Sequence, residues 1–284
     1  MLTPLLVAAT ITVAATTTDL RDLVAAVGGG RVSVESLTEP RADPHATEIH
    51  PQQLARLRAA QVLVRIGLDH EPWLPRALRA ASAAPRDLDA SRGIALLDTE
   101  TARLSADRRP HVHAFGNTHY WLDPENARPI TALIVDALAT VEPAGRDAFI
   151  ANRERFLRDL DSRLARWRMA LRPYAGTRVV AAHDTWLYFA RRFDLTVVAT
   201  VEEQPGVPPS PRHLGGLIAR MKASGVKAIL AEPGASAAVL GRVAAETGAR
   251  VITLAPSVGA DPEATDYLTL FDVNVRRLAA ALAR

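Results

Sequence analysis

Apolar and polar positions along the first third of the chain switch repeatedly between a period of two and a period near 3.6. The β-branched run at 11–15 predicts a strand, and residues 20–27 a helix opened by Thr18-Asp19 and closed by Gly28-Gly29-Gly30. A second strand is predicted over 32–37, followed by a turn-rich stretch from Glu39 to His50 that holds two prolines. Helix 51–60, strand 62–66 and helix 72–81 continue the alternation. Strands that alternate with helices imply βαβ units and a mainly parallel sheet. After a helix over 129–138, the segment Pro143 to Pro173 places Phe149, Phe156, Leu160, Leu164, Trp167 and Leu171 at helical intervals. That predicts one arginine-rich helix of roughly thirty residues, about 45 Å at 1.5 Å per residue. Its length suits a rigid spine between two lobes better than a helix within one lobe.

The back half restarts the pattern. Strands are predicted over 178–182, 195–199, 228–231 and 251–254, and helices over 186–192, 211–223, 237–246 and 267–281. The last helix carries Leu268, Phe271, Val275 and Leu278 on one face, while Gly225 and Gly248 stand where helices should stop. No internal repeat with matching spacing and no low-complexity tract is present. The fold expected is α/β, with two lobes at 11–142 and 175–284, each a mainly parallel sheet flanked by helices. One long spine helix at 143–174 joins them.

Composition changes this picture in two places. The chain has 284 residues, 34 Lys plus Arg against 31 Asp plus Glu, and a formal charge of +3. The arginines are spread rather than clustered, so no nucleic-acid footprint is expected. With no cysteine in the chain, any metal site is confined to His, Asp and Glu donors. Residues 1–15 are apolar but contain no Lys or Arg, so they lack the basic start of a signal peptide. The stretch is too short and too interrupted by threonine to span a membrane. It reads as a trimmed or incomplete signal segment, or as a plain strand over 11–15.

Three histidines stand at turns or strand exits. His45 lies in Asp43-Pro44-His45-Ala46-Thr47-Glu48, His119 in His119-Tyr120-Trp121-Leu122-Asp123-Pro124, and His183 directly after the strand at 178–182. Neutral imidazole is the commonest protein ligand for zinc, and ligands far apart in sequence suit a preformed site between lobes. Spacing alone leaves each one open to a structural role. His111 and His113 read either as a zinc-gathering loop or as plain surface residues. His50 and His70 read as structural or exposed, His213 as exposed, and Trp73, Trp121 and Trp186 as core. Asp123 fits equally a partner for a ligand histidine ring and a cap before Pro124. The triple glycine lacks phosphate-loop spacing.

These segments resemble the zinc- and manganese-binding family of ABC-importer solute-binding proteins. That family has an Asp-Pro-His turn before a helix, matched by Asp43-Pro44-His45. It has a His-x-Trp-Leu-Asp-Pro motif, matched by His119 to Pro124, and a His-x-x-x-x-Tyr-Phe-Ala segment, matched by His183 to Ala190. The run Gly206 to Pro211, the element Gly225 to Leu230 and the closing helix from Asp266-Tyr267 are similar as well. The resemblance covers nearly the whole chain from Ala14 onward. It implies two α/β lobes joined by one long helix, with metal ligands His45, His119 and His183 at the lobe interface. It also implies an exported protein, periplasmic or at the cell surface, that binds metal as cargo, has no catalytic residues and serves a membrane permease, with a monomer expected.

One departure stands out. The family commonly adds an aspartate in a Leu-Asp-Pro-like turn after the last strand, where this chain reads Leu254-Ala255-Pro256-Ser257. The substitutes are Glu232 at the exit of strand 228–231, Glu202 or Glu203 past strand 195–199, or water. Glu232 is taken as the candidate fourth ligand. Three imidazoles with at most one oxygen favour Zn2+ over Mn2+, which prefers oxygen-rich coordination. The alternatives are a three-histidine zinc hydrolase or hydratase, and a binding protein of the same build for manganese or a chelated metal. A hydrolase would need a general base and a substrate pocket, and the His-Glu-x-x-His signature is missing.

Overall fold

The run Ile-Thr-Val-Ala-Ala forms β1 (Ile11–Ala15), and its β-branched and small side chains are almost wholly buried. A parallel strand covered on both faces requires such a run. In the computed structural model, which describes residues 10–42, 45, 47–97, 116–202 and 207–283, the chain divides into two compact units. One comprises the residues up to Gly93 with Ala127–Asp159, the other Ile94–Asn126 with Leu160–Arg284.

The first unit is built on a four-stranded sheet ordered β2-β1-β3-β4, with β2 Val32–Ser36, β3 Val62–Arg65 and β4 Arg86–Asp89. All its pairings are parallel. Helices α1 (Thr18–Gly28), α2 (Pro51–Ala59) and α3 (Leu74–Ala81) provide the crossovers, and α4 (Ala127–Val141) packs on α1. Thr17 caps α1 by accepting from the Leu20 amide at 3.3 Å. Leu37, Leu57, Leu63, Leu74 and Ala77 form one core cluster with Ala14. Strand β4 carries Arg86-Asp87-Leu88-Asp89, in which only Leu88 is buried, and the sequence pattern does not predict it. It pairs on one side only, and edge strands often carry charge of this kind.

The second unit repeats the topology without repeating the sequence. Its sheet is ordered β6-β5-β7-β8, with β5 Arg178–Ala181, β6 Thr196–Thr200, β7 Ala228–Ala231 and β8 Arg250–Thr253, again all parallel. Helices α6 (Leu187–Arg192), α7 (Pro211–Ser224), α8 (Ala237–Thr247) and α9 (Tyr267–Leu282) complete it. Gly225 and Gly248 follow α7 and α8 as predicted, and all four residues of the α9 stripe are buried. In each sheet the chain leaves the first strand to one side and then crosses to the other. The switch points therefore lie between β1 and β3 and between β5 and β7. Ligands of open α/β sheets bind beyond the carboxyl ends of strands at such points.

The long helix is α5, Arg146–Leu171, with 3-10 turns at Pro143–Gly145 and Arg172–Tyr174. All six apolar residues of its predicted stripe are buried. Each such burial stabilises by about 1.5–3 kcal/mol, more than helix propensity contributes at any position, so packing holds this arginine-rich helix in place. The boundary between the units falls within it, after Asp159.

Candidate metal centre

In the second unit the extended chain leaves β5 through Ala182 and reaches His183 at φ −130° and ψ 169°. A 3-10 turn, Asp184–Trp186, follows at once. Across the switch point, Glu232 follows β7. The strand order thus brings an imidazole and a carboxylate to the same sheet end. Burial opposes charge on His183, but the carboxylates of Asp184, Glu232 and Glu202 outweigh it and hold the imidazole above its ordinary 6.5. Burial pushes the Glu232 carboxyl up, against the field of His183.

His119 comes from the loop before a 3-10 turn, Tyr120–Leu122, and is 5 % exposed. Its ring centroid lies 5.4 Å from that of His183, the planes at 82°. The loop is held at several points. Asn117 Oδ1 accepts from the His119 amide at 2.9 Å, while its Nδ2 donates to the Asp184 carbonyl at 2.8 Å. The Tyr188 hydroxyl donates to the Asn117 carbonyl, Trp121 Nε1 donates to the Pro256 carbonyl, and the Tyr267 hydroxyl donates to the Trp121 carbonyl. The Asp184 Oδ1 lies 2.8 Å from His183 Nε2 and 4.0 Å from His119 Nδ1. Two of the predicted ligands, His119 and His183, are therefore neighbours, and a carboxylate not singled out from the sequence lies against both.

In the first unit His45 is half-buried, and its Nδ1 lies 3.1 Å from the His70 carbonyl. A carbonyl only accepts, so Nδ1 carries the hydrogen and Nε2 is the lone-pair end, the state a metal ligand needs. That carbonyl ends a turn in which Gly67, Leu68 and Asp69 all have φ between 57° and 79°. Glu71 pins the turn by accepting from the Ile66 and Gly67 amides at 2.7 and 3.1 Å and from the Thr16 hydroxyl. It thereby ties together the ends of β1 and β3, at the switch point of this sheet. Burial pushes its carboxyl up to about 7.

Other sequence expectations resolve as follows. The carboxylate of Asp123 receives both Arg192 nitrogens at 2.6 and 2.7 Å and accepts from the Glu125 amide, which is the capping reading. His213 is half-buried rather than exposed, with Nε2 3.1 Å from the Thr200 carbonyl. His70 is wholly buried, Trp121 and Trp186 are core, and Trp73 packs partly buried against the core. Ala255 is buried with both main-chain groups held by the Asn274 amide, so the stretch after β8 is used structurally. Glu202 stands half-buried at the exit of β6. His111, His113, Glu203, Asp43 and Pro44 lie outside the described residues, as do positions 1–9 of the N-terminal segment.

Imidazole nitrogens and carboxylate oxygens are the donors suited to a divalent transition metal. Residues 13–281 match the family of zinc-uptake complex component A, periplasmic. The chain is 26% identical over 263 residues to the high-affinity zinc uptake system protein ZnuA of Yersinia pestis, covering 86% of this chain and 83% of that one. To the manganese-binding lipoprotein MntA of Halalkalibacterium halodurans it is 22% identical over 271 residues, covering 93% and 86%. A crystal structure of ZnuA superposes with a TM-score of 0.81 at 29% identity, covering 95% of this chain and 98% of that one. No helix among the described residues is long and apolar enough to cross a membrane. With its two parallel sheets, its long helix and a family match over nearly its whole length, the chain belongs to the ZnuA family, metal-binding solute-binding proteins that serve the membrane permeases of ABC importers and are not enzymes.

Proposed function

We propose that this chain is an exported, monomeric carrier that captures one zinc ion through His45, His119 and His183 and delivers it to its permease. A carboxylate oxygen from the same wall as His183, Glu232 or Asp184, completes the coordination. The observation that carries this reading is the His119–His183 pair, edge to face at 5.4 Å beyond the carboxyl end of a central strand. The tautomer of His45 supports it, since the nitrogen left with a lone pair is Nε2. The relatives are named for zinc and for manganese, so the choice between the metals rests on donors. Three imidazoles and one oxygen suit a tetrahedral zinc ion, whereas manganese takes more oxygens.

Titration calorimetry of the metal-free protein tests this. One zinc per chain with sub-micromolar affinity is expected, with manganese weaker, and loss of stoichiometric zinc binding in His119→Ala. Tighter binding of manganese, or unaltered zinc affinity in that variant, would overturn the reading.

A further inference from the structure

Asp184 follows His183 directly and opens the 3-10 turn Asp184–Trp186. Its Oδ1 is shielded from solvent and lies 2.8 Å from His183 Nε2 and 4.0 Å from His119 Nδ1. Two donors bound to one tetrahedral zinc at about 2.0–2.1 Å stand about 3.3–3.4 Å apart. The two distances bracket that value, so the spacing of Oδ1 from each ring nitrogen needs to change by only roughly half an ångström. The main chain is already set for this. One amide, Asn117, holds both the Asp184 carbonyl and the His119 nitrogen, so the two donors share a frame fixed before any metal arrives.

Glu232, the carboxylate favoured by the sequence, is buried, and it acts on His183 through its charge. Glu202 also acts on His183 through its charge, as the weakest of the three carboxylates.

Resting on the zinc reading above, we propose that Asp184 supplies the oxygen ligand, so that His119, His183 and Asp184 form a three-donor half-site within the second unit, with His45 as the remaining ligand. A half-site of this kind holds the ion on one unit alone. The His45→Ala variant therefore keeps one zinc per chain at reduced affinity, whereas His119→Ala does not.

A crystal structure of the zinc-loaded full chain, with anomalous data at the zinc edge, is the direct test. A carboxylate oxygen of Asp184 is expected about 2.0–2.2 Å from the ion. Water, Glu232 or Glu202 in that position, with the histidines still bound, would overturn the inference and leave the zinc reading standing. Zinc held away from His119 and His183 would remove both. In solution, Asp184→Ala is expected to weaken zinc roughly 10–100-fold, and Glu232→Gln no more than about threefold. The reverse order would also overturn the assignment of Asp184.

Discussion

His45 donates from Nδ1 to the main-chain carbonyl of His70 across 3.1 Å, and this one hydrogen bond decides which nitrogen of His45 can meet a metal. The acceptor is placed by the left-handed turn at Gly67, Leu68 and Asp69 rather than by a side chain. Gly67 has φ +79°, and a Cβ there would come within 2.3 Å of Asp89 Oδ1. We expect Gly67→Ala to cost about 1–3 kcal/mol of stability from backbone strain and to weaken zinc roughly tenfold by moving the carbonyl. Urea unfolding and calorimetry together check this. Wild-type affinity in a variant that has lost that stability would show that the turn does not orient His45.

Glu71 gives the metal-free protein a pH dependence of definite sign. Its carboxyl is raised by burial from 4.5 to about 7, so between those values the folded protein holds a proton that the unfolded chain has released. The stabilisation is complete below pH 4.5 and is lost as the pH rises through about 7. At 1.36 kcal/mol per unit it amounts to about 3 kcal/mol. The difference in unfolding free energy between wild type and Glu71→Gln, followed from pH 4.5 to 8, should change by that order. A constant difference would contradict it.

With His183 as a proposed ligand, its protonation should set the acid limit of metal binding. A zinc ligand must be the neutral imidazole, and although burial works against charge here, Asp184, Glu232 and Glu202 keep the proton on the ring to a higher pH than usual. Zinc affinity should therefore begin to fall on acidification while the pH is still above 6.5. The Glu232→Gln variant removes one of those charges and should move the onset to lower pH. Calorimetric titrations at half-unit intervals would show it. An onset well below 6.5 in the wild type would contradict the electrostatic account.

Much of this architecture is legible in the residue pattern because burial imposes periodicity. Strands β1, β3 and β7 are apolar runs, and the stripe from Phe149 to Leu171 repeats at helical spacing. Strand β4 is not legible, since its residues are charged and its existence depends on a neighbouring strand. The same contrast divides the site. His119 and His183 stand out by type and setting, while Asp184 is one acid among 31, and the role proposed for it rests on a ring nitrogen 2.8 Å away. It is adjacent to His183 in the sequence, which was the available signal. Glu71 and Asn117 act on backbone groups that the sequence does not bring together. The shared topology of the two sheets is invisible for a related reason: strand order constrains which ends meet and leaves side chains free to differ.

The histidine-bearing segments of the second unit are tied to each other by an ion pair, and breaking it should be costly. Arg192, at the end of α6, places Nε and Nη2 on the two oxygens of Asp123 at 2.6 and 2.7 Å, and Nη1 reaches Glu125 at 3.2 Å. Asp123 is 7 % exposed, and it lies four residues after His119, whereas Arg192 lies nine after His183. A surface pair would contribute about 0–1 kcal/mol. Removing the arginine here leaves a buried carboxylate without its bidentate partner, for which about 3–5 kcal/mol is the usual loss. We therefore expect Arg192→Met to lower the unfolding free energy by that amount, and Arg192→Met with Asp123→Asn to recover much of it, because the second change removes the stranded charge. Zinc affinity should fall in the single variant as the two segments lose their common anchor. Denaturant unfolding with circular dichroism reads the first effect and calorimetry the second. A loss below about 1 kcal/mol in Arg192→Met would place the pair with ordinary surface ion pairs and remove it from the support of the site.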